Sequence, residues 1–261
     1  MNSLHSITLV GAGNLATHLG RALVNSGYKI SQVFSLSDYK ARKLAYELNS
    51  EFITQLEQVD RTSDLIVLAV KDDKVTGVAD FIGKVPGIVV HVSGSVPIEA
   101  LAGAGDDKGV IYPLQTFSVD RQVDFGEVSV CLEASNEQTR IKLRNLANTI
   151  SRRVFEVDSD TRRKLHMAAV FINNFPNHLY YIAEEMAKET GVPFDILKPL
   201  ALETVAKAFD LSPKDAQTGP AKRGEETVMQ RHLQLLDEHP MWQEIYRMIS
   251  DSIVKLYHRE D

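Results

Sequence analysis

A glycine-rich segment near the start of the chain has the residue types that bind phosphate groups. Residues 10–16 read VGAGNLA and lie between a short apolar run and a helical pattern. Gly11 would allow a tight turn, Gly13 would let the backbone approach a pyrophosphate, and Ala16 would permit close helix–strand packing. The helix amino terminus would attract the anion. The segment predicts dinucleotide binding, with a purely structural turn as the alternative. The predicted cofactor contacts here are Gly11, Ala12, Gly13, Asn14, Leu15 and Ala16.

The second apolar run ends at residues that indicate which dinucleotide is bound. Ser35 and Ser37 stand where NAD-binding domains usually carry an acidic residue for the ribose 2′-hydroxyl. Hydroxyl groups and the nearby cations of Lys40 and Arg42 would accept a 2′-phosphate, which a carboxylate would repel. The pattern favours NADP over NAD, although Asp38 nearby opposes it. The alternative is that Ser37 only caps the next helix and that the cations are solvated.

Three further segments follow apolar runs, at the edge where parallel sheets bind ligands. Val70 and Lys71 would pass the ribose and nicotinamide side of the cofactor, unless Lys71 is a solvated loop lysine. Ser93 would lie beside the nicotinamide. The alternative for the last two segments, 91–95 and 112–117, is that their polar residues only stabilise turns. The predicted substrate contacts in these two loops are Ser95, Gln115 and Thr116.

His166 is the candidate proton donor, because histidine titrates near neutral pH. It precedes Asn173 by seven residues, close to two helical turns, so the two side chains would share one helix face. Asn173 or Asn174 would polarise a carbonyl or imine. The alternative is a hydrogen-bonded core histidine, with the asparagines bonded to neighbouring helices.

Residues 218–224 (TGPAKRG) predict a tight loop with two cations. Arg223 would bind a carboxylate or phosphate of a small substrate, and an exposed connector between helices is the alternative. The sequence has no metal-ligand motif or phosphate-loop lysine, so no metal site is expected.

Strands and helices must position these residues. The chain contains two kinds of hydrophobic pattern that predict them. Apolar runs alternate with helical patterns up to residue 158, which predicts a largely parallel sheet covered by helices. From 159 to 261 we find helical patterns and no strand, so the sequence predicts an α/β domain over 1–158 and an all-α domain over 159–261. The predicted strands are 7–10, 29–34, 65–70, 87–92, 128–132 and 154–157. The predicted helices are 14–25, 39–48, 74–82, 137–150, 165–191, 194–209, 225–236 and 241–257. The helix through residues 165–186 is apolar around much of its girth, which predicts a buried central helix.

Composition excludes several classes of protein. The 261 residues are 44% hydrophobic and 25% charged, typical of a globular chain, and the net charge of −6 argues against nucleic-acid binding. Apolar runs are far shorter than the roughly 20 residues of a membrane span. The single cysteine, Cys131, fits a reducing cytoplasmic compartment.

Several motifs together resemble a known family. They are 11–16 (GAGNLA), 64–71 (DLIVLAVK), 91–95 (HVSGS), 112–117 (YPLQTF), 165–166 (LH), 173–175 (NNF) and 218–224 (TGPAKRG). They resemble a bacterial family that joins a Rossmann-like domain to a helical domain of unknown function and is labelled NADP oxidoreductase. The wider superfamily includes pyrroline-5-carboxylate reductase, prephenate dehydrogenase and the β-hydroxyacid dehydrogenases. The resemblance implies a Rossmann-like fold and an NADP cofactor.

The chain departs from this superfamily at two positions. Setting the asparagine of the β-hydroxyacid dehydrogenases on Asn174 puts Val170 where their catalytic lysine stands. Relatives often carry histidine where this chain has Tyr112. We therefore keep two hypotheses: an NADP-dependent oxidoreductase acting on a small carbonyl, imine or hydroxy-acid compound between its two domains, or a non-catalytic NADP(H) sensor or scaffold. The apolar second domain also predicts a homodimer.

Overall fold

The computed structural model describes residues 4–118 and 120–258. They form two compact units, of which the first ends at Asn174 and the second begins at Phe175.

Within the described residues, one eight-stranded sheet forms the first unit's centre. The strands are β1 (Ile7–Val10), β2 (Ile30–Phe34), β3 (Glu51–Ile53), β4 (Leu65–Leu68), β5 (Ile88–His91), β6 (Lys108–Leu114), β7 (Ser129–Ala134) and β8 (Arg153–Glu156). They lie in the order β3-β2-β1-β4-β5-β6-β7-β8, and neighbouring strands are parallel except β6 and β7. The predicted largely parallel sheet is confirmed.

Helices accompany the sheet and form the second unit. The first unit contains α1 (Asn14–Asn25), α2 (Asp38–Leu48), α3 (Val75–Ile82), α4 (Glu137–Ile150) and α5 (Ser159–Ala169), followed by a π-helical turn (Val170–Asn174). The second unit contains α6 (Phe175–Glu189), α7 (Lys198–Leu211), α8 (Pro213–Ala216), α9 (Pro220–Arg223), α10 (Glu226–Leu235) and α11 (Pro240–Tyr257). Up to residue 258 no strand follows β8, in agreement with the predicted all-α region.

The sheet is apolar on both faces because successive strand residues point to opposite sides. Leu9 and Val67 belong to the cluster that packs against α1 and α4, whereas Ile66 and Leu68 belong to the cluster on the other face. These four side chains are at most 1% exposed. Burial on both faces is the reason the strands read as continuous apolar runs.

The parallel strands determine where the loops meet. β1, β2, β4, β5 and β6 run in the same direction, so the segments that follow them lie at one edge of the sheet. We call this edge the carboxyl edge. All the first-unit loops predicted to bind ligands begin there.

Two strands were missed from the sequence, and one of them changes the site. β3 has only three residues, and β6 contains Pro113, which argues against a strand. Tyr112 is predicted in a loop, but it lies inside β6, opposite Cys131 of β7. The predicted loop therefore begins at Gln115 and not at Tyr112.

The predicted burial of the helix over residues 165–186 is wrong for the single chain. Leu179, Tyr181 and Met186 of α6 are 39%, 50% and 38% exposed. Apolar periodicity reports that a helix has apolar sides, but it does not report whether the same chain covers them.

The predicted boundary at residues 158 and 159 coincides with the start of α5, after the last strand. The first compact unit continues through α5 and the π-helical turn to Asn174. The boundary therefore stays a prediction of where the sheet-forming part of the chain ends.

Candidate functional site

The turn after β1 needs glycine at its first position. Gly11 has a φ of 125°, and its N–H donates to the Phe34 carbonyl at the end of β2 over 2.8 Å. A Cβ at Gly11 would overlap the carbonyl oxygen of Ala69. Only glycine lets the backbone pass this close to the end of β4.

Gly13 plays a different part, because nothing in the protein would touch a side chain there. A Cβ at Gly13 would have open space within 4 Å. Gly13 is the N-cap residue of α1, no side chain caps this helix, and its first turn carries no acidic residue. The Asn14 side chain instead donates to the carbonyl of Phe117 over 2.9 Å. The amino terminus of α1 thus offers free N–H groups and room beside them, which fits a pyrophosphate.

The segment after β2 combines a helix cap with two cations. Ser37 caps α2 by accepting from the N–H of Lys40 over 3.4 Å, and its own N–H donates to Ser35 Oγ over 3.2 Å. The capping role considered as an alternative is therefore present. Lys40 and Lys43 nevertheless line a cavity of about 150 Å³ together with Gly13.

The remaining charges near Ser37 are engaged with each other. Arg42 Nε donates to Asp38 over 2.7 Å, and its guanidinium lies over the ring of Phe52, 4.2 Å from the centroid. Arg42 therefore neutralises Asp38, the carboxylate that opposes NADP in the sequence. Lys40 and Lys43 thus line the cavity beside the glycine loop together with Glu47, whose carboxylate pairs with Arg21.

The loop after β5 is connected to the loop after β4. The Ser95 hydroxyl donates to Asp72, and Ser93 Oγ accepts from the N–H groups of Ser95 and Val96 over 3.1 Å each. Val70 is half-buried, and Lys71 is exposed. The Ser93 hydroxyl oxygen therefore stabilises the turn of this loop. This is the structural role that was considered as the alternative to cofactor binding.

His91 closes β5 beneath this loop and is fully enclosed. Its Nδ1 accepts from the N–H of Ser93 over 3.2 Å. Burial, together with the charge of Arg162, lowers the pKa of His91 from 6.5 to about 4. The ring is therefore neutral at pH 7, and its proton is on Nε2.

His166 on α5 meets Tyr112 on β6 at the carboxyl edge. The Tyr112 hydroxyl lies 2.9 Å from His166 Nδ1, and the two rings meet edge to face with centroids 5.8 Å apart. Tyr112 is 7% exposed and His166 is half-buried. Burial raises the pKa of Tyr112 to about 12. The sequence singles out His166, but its partner on β6 becomes evident only in the fold.

Arg162, one helical turn before His166, was not predicted from the sequence. Its guanidinium is fully buried and pairs with Glu133 of β7, the carbonyl of Val96, and Ser159 Oγ at 3.2 Å. These bonds join α5 to β7 and to the loop after β5. We call this set of contacts the Arg162 clamp. An arginine four residues before the candidate histidine is a sequence signal that could have suggested it.

The other predicted residues are less constrained. Gln115 Oε1 accepts from the N–H of Thr116 over 2.8 Å, and both residues are exposed at the carboxyl edge. Asn173 is half-buried and Asn174 is exposed. Both lie in the π-helical turn that also contains Val170, and such turns are frequent at functional sites.

Arg223 lies in the second unit. Its Nε and Nη2 each donate to the Glu225 carboxylate over 2.8 Å, and its side chain is 57% exposed. A substrate anion would have to compete with this bidentate pair. The role of Arg223 as an anion clamp stays a prediction.

Comparisons with known proteins identify the family of the chain. A Rossmann-like domain model matches residues 2–116, and the model of a domain of unknown function, DUF2520, matches residues 128–253. A Bacteroides fragilis protein, described as a putative NADP oxidoreductase, is 40% identical over 96% of this chain and 98% of its own, with a TM-score of 0.91. The chain belongs to the family that joins a Rossmann-like domain to a DUF2520 domain. The family resemblance predicted from the motifs is confirmed.

More distantly related structures share the fold of this chain. The imine reductase of Myxococcus stipitatus with NADP+ is 18% identical over 97% of this chain and 92% of its own, with a TM-score of 0.64. The pyrroline-5-carboxylate reductase of Streptococcus pyogenes is 15% identical over 96% and 98%, with a TM-score of 0.60. Comparison with curated proteins gave no match.

The described residues contain neither a membrane-spanning helix nor a cluster of metal-binding side chains. No helix there is both long and apolar enough to cross a bilayer. No three His, Cys, Asp or Glu side chains in the ranges 4–118 and 120–258 come together as a metal site.

The Arg162 clamp predicts a large loss of stability on truncation. Arg162→Ala leaves the Glu133 carboxylate, 15% exposed, without its cation, so the free energy of unfolding should fall by about 3 kcal/mol. Arg140→Ala is the control, because Arg140 pairs with Glu137 and Glu156 while 35% exposed and should cost under about 1 kcal/mol. Urea denaturation measures both variants, and equal losses would contradict a structural role for the clamp.

Proposed function

We propose that this protein is an NADP-dependent oxidoreductase that transfers hydride between the nicotinamide and a small carbonyl, imine or hydroxy-acid compound. The observation that carries the proposal is the coincidence of two features at the carboxyl edge. One is the uncapped amino terminus of α1 beside the open space at Gly13. The other is the Tyr112–His166 pair, which can provide a proton.

NADP is favoured over NAD by the charges beside the glycine loop. Lys40 and Lys43 line the cavity next to Gly13, and Arg42 neutralises Asp38. A 2′-phosphate would therefore meet cations. The B. fragilis relative is described as a putative NADP oxidoreductase, and the imine reductase with the same fold binds NADP+. A reducing cytoplasmic compartment belongs to the same proposal, since Cys131 is a buried free thiol.

The residues of the chain would have the following roles in the reaction. When bound, the reduced nicotinamide supplies the hydride. The amino terminus of α1 holds the pyrophosphate, and Val70, Lys71 and Ser93 border the path to the nicotinamide. His166 delivers the proton to the oxygen or nitrogen of the substrate, and the amide of Asn173 or Asn174 polarises the same group. The predicted substrate contacts are Ser95, Gln115, Thr116 and Arg223.

A non-catalytic NADP(H) sensor or scaffold is the second candidate. The observation that favours it is Val170, which stands in the π-helical turn where the β-hydroxyacid dehydrogenases carry a lysine. Both candidates bind NADP(H), so only turnover separates them.

A charge at the N-cap of α1 tests the cofactor site without disturbing the fold. Gly13→Asp places a carboxylate in open space, where aspartate is a favourable N-cap, so the melting temperature should not fall. NADPH affinity measured by calorimetry should fall at least about 100-fold, because the carboxylate repels the pyrophosphate and occupies the N–H groups. The control Gly13→Asn has the same shape and cap without the charge and should lose less affinity. Unchanged NADPH binding in Gly13→Asp would overturn the cofactor site.

Turnover tests the choice between enzyme and sensor. We expect small keto acids or cyclic imines to lower the nicotinamide absorbance of NADPH with the wild-type protein. His166→Gln should reduce kcat by about 100-fold or more while NADPH affinity stays the same, because only proton delivery is lost. The control is His178→Gln on exposed α6. Tight NADPH binding with no turnover across the substrate panel would favour the sensor.

We also propose a homodimer formed through the second unit. Leu200 and Phe209 of α7 and Met248 of α11 are 66%, 82% and 74% exposed, and they are part of a wide set of exposed apolar side chains. An apolar surface of this extent is uncommon on a monomer. A cavity of about 640 Å³ in the same unit is lined almost entirely by apolar groups, including Leu179, Ile182, Trp242 and Ile253. A second copy of the chain is the partner that is always available.

Association state tests this proposal. Light scattering at micromolar concentration should give about twice the chain mass of 29.1 kDa. Phe209→Glu should weaken the dimer, because it places a charge on the exposed apolar surface, whereas Lys84→Glu, outside that surface, should not. A wild-type monomer would contradict the proposal.

A further inference from the structure

The side chains of Tyr112 and His166 are in hydrogen-bond contact. Their hydroxyl and Nδ1 atoms are 2.9 Å apart, although the residues are 54 positions apart in the chain. We infer that Tyr112 is a positioning residue that fixes the proton of neutral His166 on Nε2 and replenishes it through Nδ1. This inference rests on the proposed function for its catalytic part, while the tautomer can be tested without any substrate.

The direction of the hydrogen bond follows from what surrounds the hydroxyl. The Tyr112 side chain is buried, and His166 Nδ1 is its only hydrogen-bond partner among the residues that the structure describes. A buried O–H without an acceptor is costly, so the hydroxyl donates and Nδ1 accepts. Neutral imidazole carries one proton, which must then reside on Nε2.

The protonation state of Tyr112 agrees with a donating hydroxyl. Burial raises its pKa to about 12. Cys131 raises the pKa further, Arg162 lowers it, and Asp72 adds the smallest rise. The phenol is therefore protonated at neutral pH. For His166, Nε2 has no hydrogen-bond partner in the described part of the chain, so this N–H is available to a substrate.

Gly94 shows that the pair fits closely into its surroundings. A Cβ at Gly94 would lie 2.6 Å from His166 Nδ1 and 2.7 Å from Tyr112 Cζ, closer than real contacts allow. The loop after β5 therefore covers the hydrogen bond without room for a methyl group. The Arg162 clamp holds that loop against α5 through the Val96 carbonyl. Tyr112 and His166 consequently have little freedom to separate.

The arrangement provides a path for a proton from Tyr112 through His166 to the substrate. In the proposed reaction the carbonyl carbon would gain a C–H bond at the expense of a C–H bond of the reduced nicotinamide, which is oxidised, and the electron pair of the C=O π bond moves to oxygen. The oxygen takes the proton from Nε2 while Nδ1 takes the proton of Tyr112. Water then supplies a new proton to Nε2 as Nδ1 returns its proton to the phenolate, which restores the starting tautomer. A hydroxyl on carbon is a weaker acid than the phenol of Tyr112, so the proton moves from the stronger to the weaker acid. Without Tyr112, the same donation would leave an imidazolate.

Nitrogen NMR of histidine-labelled protein tests the tautomer directly. The chain has eight histidines, and the signals of His166 are identified by their loss in His166→Gln. At about pH 9, where ordinary histidines are neutral, the wild type should show His166 with protonated Nε2 and unprotonated Nδ1. A protonated Nδ1 in the wild type would overturn the inference, whether or not the protein turns over a substrate.

Variants then separate a positioning role from a merely structural one. Tyr112→Phe should shift the Nδ1 resonance of His166, because the hydrogen bond is lost, and should lower kcat about 10-fold or more with KM unchanged. Gly94→Ala should disturb the same resonance with both functional groups retained. Tyr246→Phe is the matched control, since Tyr246 makes the same contact to Nδ1 of His232 at 2.8 Å. It should change the His232 signal and leave His166 and kcat as they are.

The outcomes are distinguishable from failure of the proposed function. If the tautomer is as expected but no substrate is turned over by the wild type, the positioning inference stands and the oxidoreductase proposal fails. If Tyr112→Phe leaves both the Nδ1 resonance and kcat unchanged while the protein stays folded by circular dichroism, Tyr112 has no positioning role.

Discussion

The guanidinium of Arg162 is enclosed by protein, and the arrangement of the candidate site depends on it. An enclosed charge is costly unless it is paired, and the two terminal nitrogens of Arg162 bond to Glu133, to the Val96 carbonyl and to Ser159, whereas its Nε has no partner among the described residues. Two of these partners lie on β7 and in the loop after β5, so α5 cannot move away without exposing a charge to an apolar interior. Because His166 is one turn further along α5, the same bonds determine how closely it meets Tyr112.

The glycine loop solves a different physical problem at the same edge. A phosphate site needs backbone N–H groups that have no partner within the protein. A helix end that is buried in the protein interior cannot leave its N–H groups unpaired. The loop keeps the α1 terminus open by using glycine twice, once where the backbone passes the Ala69 carbonyl and once where a side chain would fill the space. Lys40 and Lys43 line the cavity beside this terminus, where Glu47 is paired with Arg21, while Arg42 and Asp38 neutralise one another. Lys40 and Lys43 thus place local positive charge beside the glycine loop in a chain whose net charge is −6.

Some features of the site were predictable because their signals are local. The glycine spacing, the apolar runs and the helix phases each depend on residues within one or two turns, and the first four predicted helices agree with α1 to α4 within one residue at each end. β6 could not be recognised, since Pro113 masks a strand that is stabilised by β5 and β7 on either side. The exposure of α6 could not be recognised either. An apolar helix has the same sequence whether its cover comes from its own chain or from a second copy.

The sequence by itself determined the parallel α/β domain, the all-α remainder, the glycine-rich turn after the first strand and the identity of His166 as a candidate, because periodicity and backbone requirements are properties of short segments. Tertiary structure decided which groups meet. Tyr112 and His166 are 54 residues apart, and Arg162 and Glu133 are 29 apart. Their contacts follow from strand order, from the antiparallel pairing of β6 with β7 and from the placement of α5. The physical reason is that a hydrogen bond requires a separation of about 3 Å, and only the packed sheet brings such distant residues within that distance.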